Sequence, residues 1–182
     1  MKEIVFLDTE TSGLGSSAEI VEIGIVGLSG HGVGSVLLDT LVKPVSDIPE
    51  EATRIHGITN EMVSGAPVFA ELYPLLVEQL SGKSVYIYNK AYDTQIIDNA
   101  CIRAGLPLIE FDSYCLMLPF SELYGDWNDY KKSYRWQKLT TAFSMCDDIH
   151  DDDRVLIQAH RAVGDSIMSK YVYKLLKQKE LI

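Results

Sequence analysis

Residues 4–7, Ile-Val-Phe-Leu, form a short apolar run that passes at once into Asp8-Thr9-Glu10-Thr11 and a Ser12-Gly13 turn signal. A run of this length with such a boundary reads as a buried strand. Side chains alternate along a strand, so Asp8 and Glu10 project to one face. Two carboxylates ~4 Å apart repel by roughly 4 kcal/mol at an effective dielectric of ~20. A fold that holds them together must offset that repulsion, and a hard divalent cation with oxygen ligands does so. A strand that merely ends in polar residues would leave both solvated, so the decision rests on the rest of the chain.

The remaining composition sets bounds. With 182 residues, 47% of them hydrophobic and 23% charged, the sequence describes one ordinary globular domain spanning residues 1–182. A chain of this size buries roughly 70% of its unfolded surface. No apolar run approaches the ~20 residues of a membrane helix, and the N-terminal apolar stretch is too short for a signal peptide. Cys101, Cys115 and Cys146 are odd in number and lack Cys-x-x-Cys spacing, so neither disulfides nor zinc are expected. A reducing, cytoplasmic compartment fits that usage. The net charge of −10 excludes a protein that grips long duplex DNA through a broad basic face. A nucleic-acid partner would be held locally, over few nucleotides, with metal ions supplying positive charge.

Along the chain, 19–28 and 36–42 read as strands joined by a glycine-rich turn at 29–35. Residues 44–59 read as a loop marked by Pro44 and Pro49. Phe69, Leu72, Leu76 and Leu80 recur at helical spacing, and Ser81-Gly82 ends that helix. A strand at 84–88 leads into a helix at 92–104, stopped by Gly105 and Pro107. A fifth strand is expected to end over 108–112, followed by a helix at 113–124. Residues 125–135 read as a loop, 136–146 as a helix and the acidic run 147–153 as a solvated loop. A long helix over 161–177 closes the chain, with Val163, Ile167, Tyr171 and Leu175 along one stripe. Strands first, then strands alternating with helices, predict a layered α/β fold.

Asp93 falls just past a predicted strand, in the first turn of a helix. That position suits either a helix cap or a ligand site at the carboxyl end of a sheet. His160 and Asp165 lie five positions apart, about 140° around a helix, and cannot share a site from within one. They can do so if the helix begins near residue 161 and His160 stays on the preceding loop. Asp165 lies near the inward stripe, where a carboxylate needs a partner.

In this order the residues resemble the DnaQ-like exonucleases of the DEDD superfamily, in the branch whose last motif carries a histidine. Phe6-Leu7-Asp8-Thr9-Glu10-Thr11-Ser12-Gly13-Leu14 is similar to the first motif, Asn89-Lys90-Ala91-Tyr92-Asp93 to the second, and His160-x-Ala162-x-x-Asp165 to the third. Ile48 through Val63, with His56-Gly57-Ile58-Thr59, looks like the family's linking segment. The resemblance covers essentially the whole chain.

It implies a ribonuclease-H-like three-layer fold, with a mixed five-stranded sheet flanked by helices. It also implies a two-metal 3′–5′ exonuclease that releases nucleoside monophosphates from single-stranded nucleic acid, DNA before RNA. Asp8, Glu10, Asp93 and Asp165 would hold two Mg²⁺ (or Mn²⁺), and His160 would accept a proton from the attacking water. Thr9, Thr11 and His56 would lie against the terminal nucleotide, with Glu51 at its 3′ hydroxyl. Such an enzyme works alone, as a dimer with a second copy of the chain, or beside a polymerase, and the sequence leaves the three open.

The chain departs from many relatives at Tyr88-Asn89, where they carry His-Asn. The segment 125–136 matches no family feature. Its Trp127, Tyr130, Tyr134 and Trp136 beside Lys131, Lys132 and Arg135 fit either bases stacked on aromatics or ordinary packing by a helix. Two rival readings remain: a phosphatase with an Asp nucleophile, and a catalytically silent DnaQ-like binding or assembly module. The first gives His160 and Asp165 no task; the second leaves a full set of expected catalytic residues unused.

Overall fold

The first strand shows how the sequence divides the molecule into layers. In the computed structural model, which describes residues 2–182, β1 runs over Ile4–Thr11. Val5 and Leu7 point to one side of the sheet and Phe6 to the other, and each is fully buried. The alternation then carries Asp8 and Glu10 to the Phe6 side and Thr9 to the Val5 side.

Four more strands flank β1: β2 (Ile20–Gly27), β3 (Val36–Leu41), β4 (Ser84–Ile87) and β5 (Asp112–Cys115). The sheet order is β3-β2-β1-β4-β5. The first three strands pair antiparallel, whereas β4 and β5 run parallel to β1. The parallel steps require crossovers, and helices supply them.

Three short or medium helices follow β3: α1 (Glu50–His56), α2 (Asn60–Val63) and α3 (Phe69–Leu80). Helix α4 (Lys90–Ala104) follows β4, and α5 (Met117–Tyr124) follows β5. Leu72, Leu76 and Leu80 of α3 and Ile96, Ile97 and Cys101 of α4 pack on the Val5 side. The Phe6 side is covered by α8 (Ala162–Gln178), through Val163, Ile167, Tyr171, Val172 and Leu176, and by Phe120 of α5. The result is the expected three-layer α/β arrangement around a mixed five-stranded sheet.

Several local expectations need correction. The loop at 44–59 contains α1, and α2 follows directly; Ala52 and Val63 pack with Val21, Ile48 and Ile58 in a small core of their own. Both helices are too short to show a clear apolar period. The fifth strand is Asp112–Cys115 rather than 108–112, because its parallel pairing with β4 starts at Ser84↔Asp112. It is an edge strand whose backbone ladder, not its side chains, defines it, and it shortens the expected helix at 113–124 to α5. Within 125–135 a two-stranded ribbon forms from β6 (Trp127–Asn128) and β7 (Ser133–Tyr134). The helix at 136–146 shrinks to α6 (Leu139–Phe143).

The acidic run is the clearest miss. Asp151–Asp153 open α7 (Asp151–Leu156), where acidic side chains favour the helix N-terminus. Asp153 is not solvated: it is fully buried beside the equally buried Lys170, 2.9 Å away. Tyr171 Oη donates to Asp153 at 2.7 Å and the Gly32 amide at 2.6 Å. Burial raises the Asp153 carboxyl, but these donors and His31 outweigh it and hold it below the usual carboxylate range.

Candidate active site

At the carboxyl end of β1 the two faces of the sheet converge on one place. Asp8 and Glu10 emerge on the α8 side. Thr9, on the opposite side, donates its backbone N–H (3.1 Å) and its hydroxyl (2.8 Å) to Asp93 Oδ1. Asp93 belongs to the first turn of α4 and is buried. The second-motif carboxylate is thus tied to the backbone between the two first-motif carboxylates.

Helix α8 brings the third motif. His160 lies just before it with a left-handed backbone, φ 61°, unusual for a residue with a side chain. That turn lets its N–H donate to Asp165 Oδ1 at 3.1 Å. One ring nitrogen of His160 and one oxygen each of Glu10 and Asp165 all lie within 4.8 Å of one another. His160 therefore stays off the helix and shares a site with Asp165, despite the five-residue spacing.

Two glycines allow this approach. A Cβ at Gly24 of β2 would stand 2.3 Å from the backbone of Ala162, and one at Gly164 would stand 2.3 Å from the Gln158 carbonyl. Gly24 pairs directly with Asp8 across the β1–β2 ladder. The start of α8 thus rests on bare sheet beside the metal-ligand candidates.

The electrostatics record the crowding. Burial raises the Asp8 carboxyl well above its ordinary range, and Asp93, Asp165 and Glu10 add to the rise. Burial pushes Glu10 up to about 8, with Asp165, Glu22 and Asp93 contributing and Arg161 opposing. Asp93 is pushed up to about 7 by burial, against the Thr9 hydrogen bonds. Asp165 is pushed up to about 6 by burial, against the His160 N–H. Although Asp8 as a whole is half-buried, its Oδ2 is sealed from solvent with no hydrogen-bond partner among the described residues. An orphaned buried carboxylate oxygen amid three other acids fits a cation. Hard oxygen ligands in this number suit a Mg²⁺- or Mn²⁺-type ion.

A groove of ≈ 460 Å³ opens beside the cluster, lined by Thr9, Glu10, Thr11, Leu14, Glu51, His56 and Tyr92 among others. Thr11 Oγ1 and Tyr92 Oη, 2.7 Å apart, both reach the Gly13 carbonyl and fix the turn after β1. His56 is buried, and its Nδ1 accepts the Ile58 amide at 3.0 Å. Burial lowers its imidazole below the ordinary range, although the Thr11 backbone carbonyl favours the protonated form. Its Nε2 makes no hydrogen bond of normal geometry among the described residues. Thr9, Thr11, Glu51 and His56 thus line one groove; Thr9 is already committed to Asp93.

The family model for exonucleases (RNase_T) matches residues 5–173, nearly the whole chain. The chain belongs to this exonuclease family. An uncharacterized exonuclease of Escherichia phage 186, CP81, is 37% identical over 171 residues, covering 91% of this exonuclease and 83% of the phage protein. A DNA polymerase III epsilon subunit from Buchnera aphidicola is 24% identical over 182 residues, covering 96% and 74%. The nuclease domain of 3′hExo, a DEDDh family member solved with bound rAMP, shares the fold: its TM-score is 0.70 at 18% identity, covering 98% and 92%.

The exonuclease also has a pair that sequence reasoning missed. Glu22, in the middle of β2, is 1% exposed and stands directly opposite Glu10. Arg161 Nε donates to both of its oxygens, at 2.9 and 3.1 Å, and the Ala162 amide adds a bond at 2.8 Å. The signal was present: an acid inside the apolar run Ile20 to Leu28 demands a buried partner.

Proposed function

We propose that this exonuclease takes single-stranded DNA 3′ ends, within a single domain spanning residues 1–182, and that Asp8, Glu10, Asp93 and Asp165 hold two Mg²⁺ or Mn²⁺ ions. The observation that carries this is the orphaned Asp8 Oδ2 among four converging carboxylates from β1, α4 and α8. Two divalent cations, when bound, stabilise both the attacking and the leaving oxygen of an in-line displacement.

The chain's own residues supply the rest. His160, exposed beside Glu10 and Asp165, accepts the proton of the attacking water. Its left-handed backbone and its N–H bond to Asp165 fix where that acceptor stands. The groove beyond Thr11 receives the terminal nucleotide, with Glu51 and His56 on its walls. The rAMP bound to 3′hExo is a nucleotide of the size released here, and the epsilon relative is named for a DNA polymerase, which favours DNA.

A local site on a chain of net charge −10 favours single-stranded ends over blunt duplex. Opening each terminal pair costs on the order of 1–2 kcal/mol. The test uses end-labelled DNA and RNA oligomers with magnesium, manganese or chelator. Stepwise release of monophosphates from the 3′ end, lost in chelator, is expected. Shortening from the 5′ end, or cutting of a circular single strand, would overturn the assignment.

A further inference from the structure

The ribbon formed by β6 and β7 gathers exposed aromatic rings and cations in one short stretch. Tyr130 at its tip is 94% exposed, Trp136 67% and Trp127 44%. Trp127 and Tyr134 face each other edge-on across the two strands, with centroids 5.1 Å apart. None of the three exposed rings is core packing, so the helical-packing alternative for this segment fails. Lys131, Lys132, Arg135 and Lys138 are all exposed within the same stretch, on a chain whose net charge is −10. Only Asp126, bonded to Arg135, and Asp129 offset them here. Lys131, Arg135, Tyr134 and Trp136 line a hollow of ≈ 380 Å³.

The ribbon is built rather than loose. Asn128 Oδ1 accepts from the amides of Tyr130 and Lys131, at 3.0 and 3.1 Å, and sets the turn. Tyr88 Oη donates to the Gln137 carbonyl at 2.9 Å, next to Trp136. Tyr88 follows β4 immediately, five residues before Asp93. In the parallel ladder Phe6 pairs with Tyr86, so two residues further on Asp8 and Tyr88 are level. The base of the ribbon is thereby pinned at the end of the sheet that carries the carboxylates. This gives Tyr88 a task of its own.

We propose that the ribbon is a second binding site, for the single strand of DNA that leads to the 3′ end in the active site. Its aromatic faces stack on bases and its cations follow the phosphates, a sequence-tolerant mode of single-strand binding. The inference rests on the exonuclease reading above and adds a grip on the strand outside the groove that takes its terminal nucleotide.

Trp127 and Trp136 are the only two tryptophans of the chain, so its intrinsic emission reports the ribbon directly. The full chain, in chelator to prevent turnover, is titrated with a thymidylate 12-mer and separately with thymidine monophosphate. The 12-mer should quench the emission in a salt-sensitive way, while the monophosphate leaves it unchanged. Tyr130→Ala and Trp136→Ala should each weaken 12-mer binding by about fivefold or more. With metal restored, both variants should cut a dinucleotide as wild type does and lose the preference for the longer strand. Unmoved emission on adding the 12-mer, or full 12-mer affinity in both variants, overturns the ribbon site. A chain that quenches with the 12-mer yet cuts neither substrate with metal upholds the ribbon and sinks the exonuclease reading instead.

Discussion

Arg161 grips the carboxylate of Glu22 through Nε and Nη2, across 139 residues of chain. The pair joins the middle of β2 to the residue between His160 and Ala162. The side chain of Glu22 is 2% exposed and that of Arg161 31%. Removing the cation alone leaves a buried anion that, among the described residues, keeps only the Ala162 amide as a hydrogen-bond donor. Arg161→Ala should therefore cost about 3–5 kcal/mol in denaturant unfolding. It should also cut turnover by more than Glu22→Gln, which keeps the shape and removes the charge. Equal stability of Arg161→Ala and wild type would show that the pair does not anchor α8.

The contact between Gly24 and the start of α8 leaves no room for a methyl group. Gly24→Ala and Gly164→Ala should each lower stability by several kcal/mol, or push α8 off the sheet and lose activity with it. Gly34, around which a Cβ would meet nothing within 4 Å, is the control and should tolerate alanine. Melting temperatures of the three variants make the comparison.

Much of this was legible from residue order. The strand carrying Asp8 and Glu10, the helix carrying Asp93 and the off-helix place of His160 follow from alternation, from position after a strand and from helical angle. What escaped was decided by tertiary partners. Asp153 looks solvated in sequence because its neighbours are acidic, whereas Lys170, which neutralises it, lies a helix away. Glu22 reads as one polar letter in a strand until Arg161 arrives from the far end of the chain. Strand β5 lacks an apolar signature because its edge position asks for backbone pairing and little burial.

The carboxylate cluster makes the metal-free protein pH-sensitive in a defined direction. Asp93, Asp165 and Glu10 are raised to about 7, 6 and 8 in the folded state, above their unfolded values. The folded chain then binds more protons than the unfolded one between about pH 4 and 8, and stability falls as pH rises through that window. In chelator the protein should melt higher at pH 5.5 than at pH 8. Divalent metal should narrow the difference by stabilising the ionised cluster. A melting temperature that rises from pH 5.5 to 8 in chelator would contradict the clustering.

His160 and the carboxylates should fail in different ways. His160→Ala should lose roughly 10²–10⁴ in rate, the usual size of a general-base contribution. It should still bind manganese with affinity close to wild type. Loss of metal as complete as in Asp165→Asn would make His160 a ligand instead of a base, an outcome its 4.8 Å neighbourhood with Glu10 and Asp165 makes worth measuring.

Calorimetric titration of manganese into chelator-stripped protein, wild type against Asp8→Asn, reports whether the orphaned Asp8 Oδ2 belongs to a divalent-metal site. Wild type should bind the ion, and Asp8→Asn should lose most of that binding while remaining folded. At manganese about 100 times its dissociation constant, wild type should also gain about 2.7 kcal/mol of stability. Manganese binding of equal strength and stoichiometry in both proteins, or none in wild type, would show that Asp8 holds no metal.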